Sequence, residues 1–382
     1  MDRYARHRAI EGFSQQDLQA SRFAVIGAGA IGNEVVKNLC LLGVGAVDVY
    51  DFDTVELHNL TRSVLLRESD VGAGKAASVA RRAIEIDPAV AVNAIDGDAW
   101  WTLGFTALQS YRCVIGALDN FEARLRVNLL CWIAGADWVN AAIDSRYVTV
   151  ETFPFASAPT DVDGEPPACY ECGLPPSVYQ RIAERYSCGG LQRAAARRRI
   201  VPTTAITASF AGAQAVNRAL RMRPAHGRAA GGPVAPAQRW LLDTHGGLAT
   251  VAALAHSPGC PACGDHPRNA RIVTPRGGTA EALDDAARNL GAESIRLSDA
   301  LVWQCDCANC GATNATRAVE LQAAGSVPDT VTFCTRCGSE AIRVQIRHDF
   351  EPGELAQRFA AHARVPARFA IAGDTCLDLQ AP

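Results

Sequence analysis

The sequence lacks an excess of charge of either sign and any long apolar run. Its 382 residues carry a formal net charge of −3, which gives no electrostatic basis for binding nucleic acid or an anionic membrane. No stretch reaches the roughly 18 apolar residues of a membrane span. No apolar stretch of signal-peptide length follows the N-terminal residues. With 48% hydrophobic and 20% charged residues, we expect a soluble, cytoplasmic globular protein of about two to three domains.

Cysteine, in contrast, is abundant. The sequence contains 14 cysteines, eight of which form four Cys-x-x-Cys pairs: Cys169/Cys172, Cys260/Cys263, Cys307/Cys310 and Cys334/Cys337. Disulfide frames are typical of small secreted domains, whereas such pairs in a large α/β chain without a signal peptide indicate metal binding. The pattern therefore favours the reducing cytosol.

Short apolar strands alternate with helices in the first part of the chain. The strands are predicted at 25–26, 47–50, 113–115 and 138–142, and the helices at 31–42, 75–86 and 121–134. Such alternation indicates parallel pairing with helices on both faces, so the predicted fold class is α/β, doubly wound and Rossmann-like. A helix at 203–222 is expected to be buried against this sheet, and two further strands are predicted at 240–242 and 248–254.

A domain boundary is predicted near residue 270. Residues 1–270 form the predicted doubly wound domain, and residues 271–382 form a smaller C-terminal extension. The extension is expected to contain a helix near 281–290, a four-cysteine module and an amphipathic segment at 354–362. The Gly/Pro/Ala-rich residues 225–237 are interpreted as a linker.

A glycine-rich turn follows the first predicted strand. Gly27, Gly29 and Gly32 stand in the spacing of a dinucleotide-binding turn, and Asp51 ends the next strand 19 residues past Gly32. In that reading the helix N-terminus holds a phosphate and Asp51 accepts hydrogen bonds from ribose hydroxyls. A turn without ligand and a strand-end cap are the alternatives. Alone, the turn also fits an NAD-dependent oxidoreductase.

The charges that follow the turn favour a triphosphate over a hydride carrier. Arg62 and Lys75 supply positive groups of the kind that stabilise a departing pyrophosphate. Asp119 follows the strand at 113–115, at the carboxyl edge of the sheet, where a carboxylate can hold Mg²⁺. An oxidoreductase would leave Lys75 and Asp119 unexplained.

These motifs together resemble one family. The residues are Arg3-Tyr4-Ala5-Arg6, Asp17 to Arg22, Gly27-Ala28-Gly29-Ala30-Ile31-Gly32, Asp51 to Arg62, Val71 to Lys75 and Asp119 to Arg124. In order and spacing they resemble the ThiF/MoeB family, the bacterial relatives of ubiquitin-activating enzymes, over roughly residues 1–265. Two departures are Ser63 after the arginine, where the family often has glutamine, and the apolar residues 116–118 before Asp119.

The resemblance implies ATP-dependent adenylation of the C-terminal glycine carboxylate of a ubiquitin-like or sulfur-carrier protein. It implies that Asp51 holds the ribose, that Asn59, Arg62 and Lys75 contact the phosphates, and that Asp119 serves Mg²⁺. Asp53 and Asn120 belong to the same motifs and are assigned to the nucleotide site. Arg6 matches an arginine that reaches into the partner subunit's site, which implies a homodimer.

Two zinc sites are predicted. Cys169, Cys172, Cys260 and Cys263 supply four thiolates for one tetrahedral site, with 87 residues between the pairs. Cys307, Cys310, Cys334 and Cys337 form a zinc-ribbon-like set with 23 residues between pairs, each pair followed by glycine. Reduced loop cysteines are the alternative for the first set. Cys305 could replace Cys307 in the second set. The module that this set forms is expected either to bind a partner or only to stabilise the extension.

Cys188, on a basic loop, is a candidate acceptor for the activated acyl group. Thiolate attack on an acyl adenylate gives a thioester, and neighbouring arginines could lower the pKa of this thiol. A dispensable loop cysteine is the alternative. Two further questions stay open. The chain could be a catalytically silent scaffold subunit of a heterodimer, and, if it is an activating enzyme, the activated protein could serve either sulfur transfer or protein conjugation. A conjugating enzyme or a sulfur donor is therefore a further expected partner.

Overall fold

The computed structural model describes residues 3–156, 166–180, 202–222, 236–313, 333–358 and 364–379. The chain forms two compact units, Met1–Asn269 and Ala270–Pro382. The predicted acceptor Cys188 and nearly all of the predicted linker lie outside the described residues. In the described part of the chain, no helix is long and apolar enough to cross a membrane.

An eight-stranded sheet organises the first unit. The strands are β1 (Arg22–Ile26), β2 (Ala46–Tyr50), β3 (Ala91–Ile95), β4 (Cys113–Gly116), β5 (Trp138–Ile143), β6 (Tyr147–Phe153), β7 (Gln238–Asp243) and β8 (Leu248–Ala253), in the order β3-β2-β1-β4-β5-β6-β7-β8. The first five strands of this order, β3, β2, β1, β4 and β5, are parallel to one another. Strands β6, β7 and β8 extend the sheet with antiparallel pairing. The parallel strands all end at one edge, so their carboxyl ends meet there.

Helices cover the parallel strands. They are α1 (Gln15–Gln19), α2 (Ala30–Leu42), α3 (Lys75–Ile86), α4 (Ala99–Thr102), α5 (Phe105–Ser110), α6 (Phe121–Ala134) and α7 (Ala205–Arg221). The faces of α2 and α7 that pack into the sheet carry apolar or small residues at helical spacing, such as Val35, Leu39, Ala211 and Ala215, all fully buried. The predicted doubly wound α/β fold class is confirmed.

Helix α7 is also joined to α2 by polar contacts. Ser209 Oγ donates to Glu34 Oε1 at 2.9 Å, and Lys37 forms an ion pair with the same carboxylate. Glu34 is buried, so these partners offset the cost of removing its charge from water. The sequence predicts a buried helix here, and the structure adds a carboxylate inside its interface.

A second sheet forms the core of the C-terminal unit. Its strands are β9 (Arg271–Val273), β10 (Ile295–Cys307), β11 (Ile342–Phe350), β12 (Phe369–Ala372) and β13 (Thr375–Asp378), in the order β11-β10-β12-β13-β9. The helices α8 (Ala280–Asn289) and α9 (Glu354–Arg358) accompany the sheet. The helix predicted near 281–290 matches α8, but the sequence analysis does not predict this sheet.

Candidate active site and metal centres

The glycine turn links β1 to α2 in a conformation that requires glycine at two positions. Gly27 has φ +97°, and a Cβ there would lie 2.5 Å from the carbonyl oxygen of Ala117. A Cβ at Gly32 would lie 1.9 Å from the carbonyl oxygen of Gly27. Gly29 differs, since no atom lies within 4 Å of its Cβ position. The first and third glycines therefore allow close packing, and the second faces open space.

Open space at Gly29 lies at the N-terminus of α2. Gly29 is the N-cap residue, and no side chain caps this end of the helix. The first N–H groups of a helix have no partner within the helix, and the helix dipole favours an anion there. The turn can therefore receive a phosphate group.

Asp51 supports the turn from the end of β2. Its Oδ2 accepts the N–H of Ala28 at 2.6 Å, and its Oδ1 accepts the N–H of Asp53 at 2.8 Å. Burial raises the pKa of this carboxyl, while the two backbone N–H groups and Lys75 oppose the rise. Each oxygen keeps a lone pair, so the cap role and a ribose contact are compatible.

Lys75 begins helix α3 and lies beside the same strand end. Its Nζ is 2.8 Å from Asp53 Oδ2, with 13% of the lysine side chain and 55% of the aspartate side chain exposed. Its backbone N–H donates to the carbonyl oxygen of Asp53 at 2.8 Å. Because the acid is largely in solvent, an incoming phosphate can replace it as the partner of the lysine.

Asn59 and Arg62 lie in the segment between β2 and α3. Asn59 is buried, and its Oδ1 accepts the N–H of Glu56 at 2.9 Å, which closes the local turn. Arg62 Nη1 donates to the carbonyl oxygen of His58 at 2.7 Å. Both side chains therefore form hydrogen bonds within their own segment. Arg62 is also partly exposed to solvent.

Asp119 and Asn120 follow β4. Asn120 caps α6, since its Oδ1 accepts the N–H of Ala123 at 2.8 Å, and its Nδ2 donates to Asp119 Oδ1 at 3.1 Å. Asp119 is exposed. In the described part of the chain, no ion pair joins its carboxylate to Arg62 or Lys75.

The glycine turn, Asp51 and the residues after β4 lie at the point where the strand order reverses. Strands β1 and β4 are neighbours, and their helices lead away in opposite directions along the sheet, which is where open α/β sheets bind ligands. Gly27 contacts the residue after β4, and Asp51 contacts the residue after Gly27. Arg6 is not part of this group, since it lies exposed in the N-terminal segment.

The first predicted cysteine set, Cys169, Cys172, Cys260 and Cys263, comes together as one cluster. Their sulfur atoms lie within 4.8 Å of one another, with separations of 3.6 Å for Cys169/Cys260, 3.4 Å for Cys172/Cys263 and 3.8 Å for Cys169/Cys172. Tetrahedral zinc with Zn–S bonds of about 2.3 Å places sulfurs about 3.8 Å apart. The cluster fits a zinc ion.

The second cluster joins the end of β10 to the segment before β11. Cys307 and Cys337 sulfurs are 3.6 Å apart, as are those of Cys310 and Cys334. Gly311 and Gly338, which follow the two pairs, have φ +66° and +70°, and each donates its N–H to the carbonyl oxygen of the first cysteine of its pair. Cys305 is buried on β10 outside the cluster, so Cys307 is the fourth member.

Comparison with known proteins identifies the family of this chain. Residues 2–239 match the ThiF family. The chain belongs to the ThiF family. The predicted resemblance to this family is therefore confirmed. The predicted enzyme class is confirmed as well, because relatives of this chain are named adenylyltransferases and activating enzymes.

Three relatives illustrate the match of this ThiF-family chain. It is 30% identical over 282 residues to the sulfur carrier protein adenylyltransferase of Thermus thermophilus, covering 72% of this chain and 94% of that protein. It is 32% identical over 178 residues to the Escherichia coli molybdopterin-synthase adenylyltransferase, covering 45% and 67%. It is 32% identical over 178 residues to the SAMP-activating enzyme E1 of Haloferax volcanii, covering 46% and 62%.

Solved structures agree on the fold. A structure of E. coli MccB with MccA-N7isoASN has a TM-score of 0.51 to this ThiF-family chain, with 21% identity, and covers 69% of this chain and 75% of that one. A structure of E. coli MccB with succinimide has a TM-score of 0.50, also at 21% identity, and covers 69% and 75%. At this identity the likeness concerns the fold alone.

Sequence reasoning misses one residue of the candidate site. Asn33 is fully buried on α2, and its Nδ2 donates to the carbonyl oxygens of Ala28 at 2.7 Å and Gly29 at 2.9 Å. Its Oδ1 accepts the N–H of Leu65 at 2.9 Å. Asn33 therefore joins the glycine turn to the segment that carries Arg62. A lone amide on the buried face of an apolar helix is the signal that could have found it.

Proposed function

We propose that this protein is an ATP-dependent activating enzyme that adenylates the C-terminal glycine carboxylate of a ubiquitin-fold carrier or modifier protein. One observation carries the proposal: an open helix N-terminus, a half-buried aspartate and a lysine ion pair lie together beside the switch point of the sheet, and an exposed aspartate follows the neighbouring strand. A hydride transfer needs only the first two of these groups. The family membership supports the same choice.

Each side chain of the site has a role that its position allows. The α2 N-terminus receives a phosphate, and Asp51 accepts hydrogen bonds from the ribose. Lys75 exchanges Asp53 for the triphosphate, and Arg62 exchanges the His58 carbonyl oxygen for a phosphate oxygen. Asn59, with Asn33, keeps the segment of Arg62 close to the turn.

The reaction is a substitution at the α-phosphate. A carboxylate oxygen of the terminal glycine forms a bond to the α-phosphorus, the bond to the bridging oxygen breaks, and pyrophosphate leaves with the electron pair. Lys75 and Arg62 stabilise the charge that develops on the departing oxygens. Asp119 would hold Mg²⁺ at the triphosphate, with Asn120 bonded to its carboxylate, and the bound cation would neutralise part of the triphosphate charge.

The partner is identified by its chemistry. The substrate must present a flexible C-terminus that ends in glycine, because the carboxylate has to reach the α-phosphate at the sheet edge. Sulfur-carrier and modifier proteins both have this terminus. A sulfur donor or a conjugating enzyme acts after activation, and transfer to Cys188 as a thioester is part of the proposal. Arg6 completes the site of a second subunit in a homodimer.

Zinc in the two clusters completes the proposed holoenzyme. Each set of four thiolates leaves no open position on tetrahedral zinc, which is typical of structural rather than catalytic sites. The first cluster lies in the unit with the nucleotide site, and the second lies in the C-terminal unit, where we propose a partner-binding module.

Pyrophosphate exchange tests the proposal. The protein is incubated with ATP, Mg²⁺, labelled pyrophosphate and candidate glycine-terminated carriers, and label in ATP is measured. We expect exchange that requires the carrier and that falls by at least about 100-fold in Arg62→Ala and in Asp119→Ala, as expected for loss of a transition-state contact. Asp285→Ala is the matched control, because this aspartate is exposed on α8 of the other unit.

Further arms separate the alternatives. Cys188→Ser should keep exchange and lose a thiol-sensitive adduct with the carrier, and retention of the adduct would remove Cys188 as acceptor. ATP binding without exchange for any carrier would identify a scaffold subunit instead. A change in NADH fluorescence on binding, without exchange, would favour an oxidoreductase.

A further inference from the structure

The N-terminal segment, residues 3–13, is bound to the C-terminal ends of helices α2 and α3. The Tyr4 ring packs onto Gly43, which ends α2 with φ +67°, and a Cβ at this glycine would lie 2.3 Å from the ring. The Tyr4 hydroxyl donates to Asp87 Oδ2, directly after the last residue of α3. Tyr4 therefore joins the segment to both helices through one side chain.

The carboxylate that receives the Tyr4 hydroxyl is buried. Asp87 is 2% exposed, its Oδ1 accepts the N–H of Ala89 at 3.1 Å, and Arg3 Nε lies 3.6 Å from its Oδ2. Burial and the hydrogen bond to Asp87 raise the pKa of Tyr4 to about 12, so the hydroxyl keeps its proton at neutral pH. Because a buried carboxylate needs its hydrogen-bond donors, this contact holds the segment in place.

A second anchor follows Arg6 in the sequence. Gln15 Nε2 donates to two carbonyl oxygens at the C-terminal end of α2, at 2.9 Å and 3.2 Å. Its Oε1 therefore faces His7, whose Nδ1 donates to it at 3.0 Å. The backbone N–H of His7 also donates to the carbonyl oxygen of Tyr4 at 3.0 Å, and the two rings are stacked with centres 5.9 Å apart. Arg6 thus lies in a closed turn between two anchored residues.

These anchors lie at the ends of the two helices that are far from the proposed nucleotide site. Helix α2 begins at the glycine turn and α3 begins at Lys75, whereas the segment binds where both helices end. The 13 residues of α2 span about 20 Å. Tyr4 and Arg6 are two residues apart, which corresponds to at most about 7 Å of extended chain. The anchors therefore hold the exposed Arg6 near the far ends of these helices, away from the nucleotide site of its own subunit.

We propose that Tyr4, with the His7 anchor beside it, is a positioning residue that presents the Arg6 guanidinium to the nucleotide site of the partner subunit. The inference rests on the proposed function, in which Arg6 completes the site of a second subunit. An arginine on an anchored segment has already lost most of the conformational freedom that binding would otherwise remove. A misplacement of about 1 Å in such a group can cost roughly 100-fold in rate.

Pyrophosphate exchange by Tyr4→Ala, with the carrier present, tests the inference. We expect exchange at least about tenfold slower than in wild type, because the ring and the hydroxyl contacts are both lost. Tyr4→Phe keeps the ring on Gly43 and should retain more of the activity. Glu11→Ala is the control and should exchange at the wild-type rate, since this residue is exposed in the same segment. Wild-type exchange by Tyr4→Ala would overturn the inference.

Mixed dimers distinguish an effect on the partner's site from an effect within the same subunit. A purified dimer of one Tyr4→Ala and one Asp119→Ala subunit should reach half of wild-type activity, because the intact Asp119 meets an arginine from a subunit with an intact anchor. A dimer of Tyr4→Ala and Arg6→Ala has no intact site and should be no faster than Tyr4→Ala alone. A tyrosine that only stabilises its own subunit gives the reverse pattern, which would overturn the inference.

Failure of the proposed function has a different signature. Wild-type protein would then show no pyrophosphate exchange with any carrier, and the inference would fall with the proposed function. Full activity of Arg6→Ala would overturn the inference alone, since adenylation would then proceed without the group that Tyr4 is proposed to position.

Discussion

Asp51 shows how one side chain serves both the fold and the proposed chemistry. Its two oxygens hold Ala28 and Asp53 by their N–H groups, and so fix the glycine turn and the start of the loop to Lys75. A ribose would use the remaining lone pairs. Because the carboxylate is half-buried, each acceptor is worth more than it would be at the surface.

We therefore expect Asp51→Asn to weaken both stability and ATP binding. An amide has a single acceptor oxygen, so one N–H loses its partner, at a cost of about 1–3 kcal/mol in the free energy of unfolding. Loss of a charged ribose acceptor costs about 1.5–3 kcal/mol, or roughly 10- to 150-fold in ATP affinity. Calorimetric titration with ATP and thermal melts give the two quantities.

The control for this substitution lies at the opposite edge of the sheet. Asp137 is buried and likewise accepts a backbone N–H, that of Ala156 at 2.8 Å, but it precedes β5. Asp137→Asn should lower stability and leave ATP affinity unchanged. Protonation acts like the amide: because burial raises the pKa of Asp51, ATP affinity should fall as the pH drops through that raised value. Equal ATP binding by wild type and Asp51→Asn would contradict the ribose role.

At the scale of elements, two glycines of the turn between β1 and α2 have different expected roles. Gly32 allows close packing, and Gly29 leaves space for a ligand. Gly32→Ala places a methyl group against the Gly27 carbonyl oxygen, so helix and strand must move apart. We expect a loss of more than about 3 kcal/mol in the free energy of unfolding, as for severe overpacking. Denaturant titration measures it.

Gly29→Ala is the counterpart on the same turn. Its φ of −74° suits alanine and no atom is near the new methyl, so stability should change by less than about 1 kcal/mol. ATP affinity should nevertheless drop at least tenfold, because the methyl occupies the space meant for a phosphate. Stable, fully ATP-competent Gly29→Ala protein would show that the phosphate does not approach this turn.

The parallel part of the sheet, except β3, could be predicted because each element is specified locally. Helix α3 was predicted at 75–86 and spans Lys75–Ile86, since its apolar spacing and the glycine before it act within a few residues. The strands of the C-terminal unit are different. Most residues in the middle of β11 are exposed, and Cys376 in β13 is buried by partners distant in sequence. Long-range pairing, not local pattern, defines these strands.

The candidate site divides in the same way. Gly27, Gly32 and Asp51 were recognisable because fixed backbone geometry demands those residue types at that spacing. Asn33 was not, because its importance arises from contacts with the turn and with Leu65, 32 residues away. The assignment of Arg62, Lys75 and Asp119 to ATP remains a prediction from sequence, and the structure places Lys75 beside Asp53 and Asp119 shortly after β4.

At the scale of the whole molecule, the proposed homodimer assigns Arg6 to the site of a second subunit. Arg6 follows a segment anchored by Arg3, whose Nη1 donates to the carbonyl oxygen of Ile86. Its own side chain is exposed, and no hydrogen bond or ion pair to it is present within the described residues. An exposed cation on an anchored segment is free to enter the site of a partner.

Mixed dimers test this arrangement. Arg6→Ala and Asp119→Ala should each abolish pyrophosphate exchange, and subunit exchange between the two variants should restore about one quarter of wild-type activity, because half of the dimers are mixed and each has one intact site. Purified mixed dimers with distinct tags should reach half. A mixture that stays inactive, although the subunits exchange, would place Arg6 in its own subunit's site, whereas full activity of Arg6→Ala alone would place it in none.

The ion pair between Lys75 and Asp53 also offers a way to detect nucleotide binding by chemical labelling of lysine side chains. The sequence holds only two lysines, Lys37 and Lys75. Lys37 is paired with the buried Glu34, whereas Lys75 is paired with Asp53 at the proposed nucleotide site. An amine-directed label therefore has one side-chain target whose reactivity depends on the bound nucleotide and a second that serves as an internal reference, so a single mass spectrum can report the occupancy of the site.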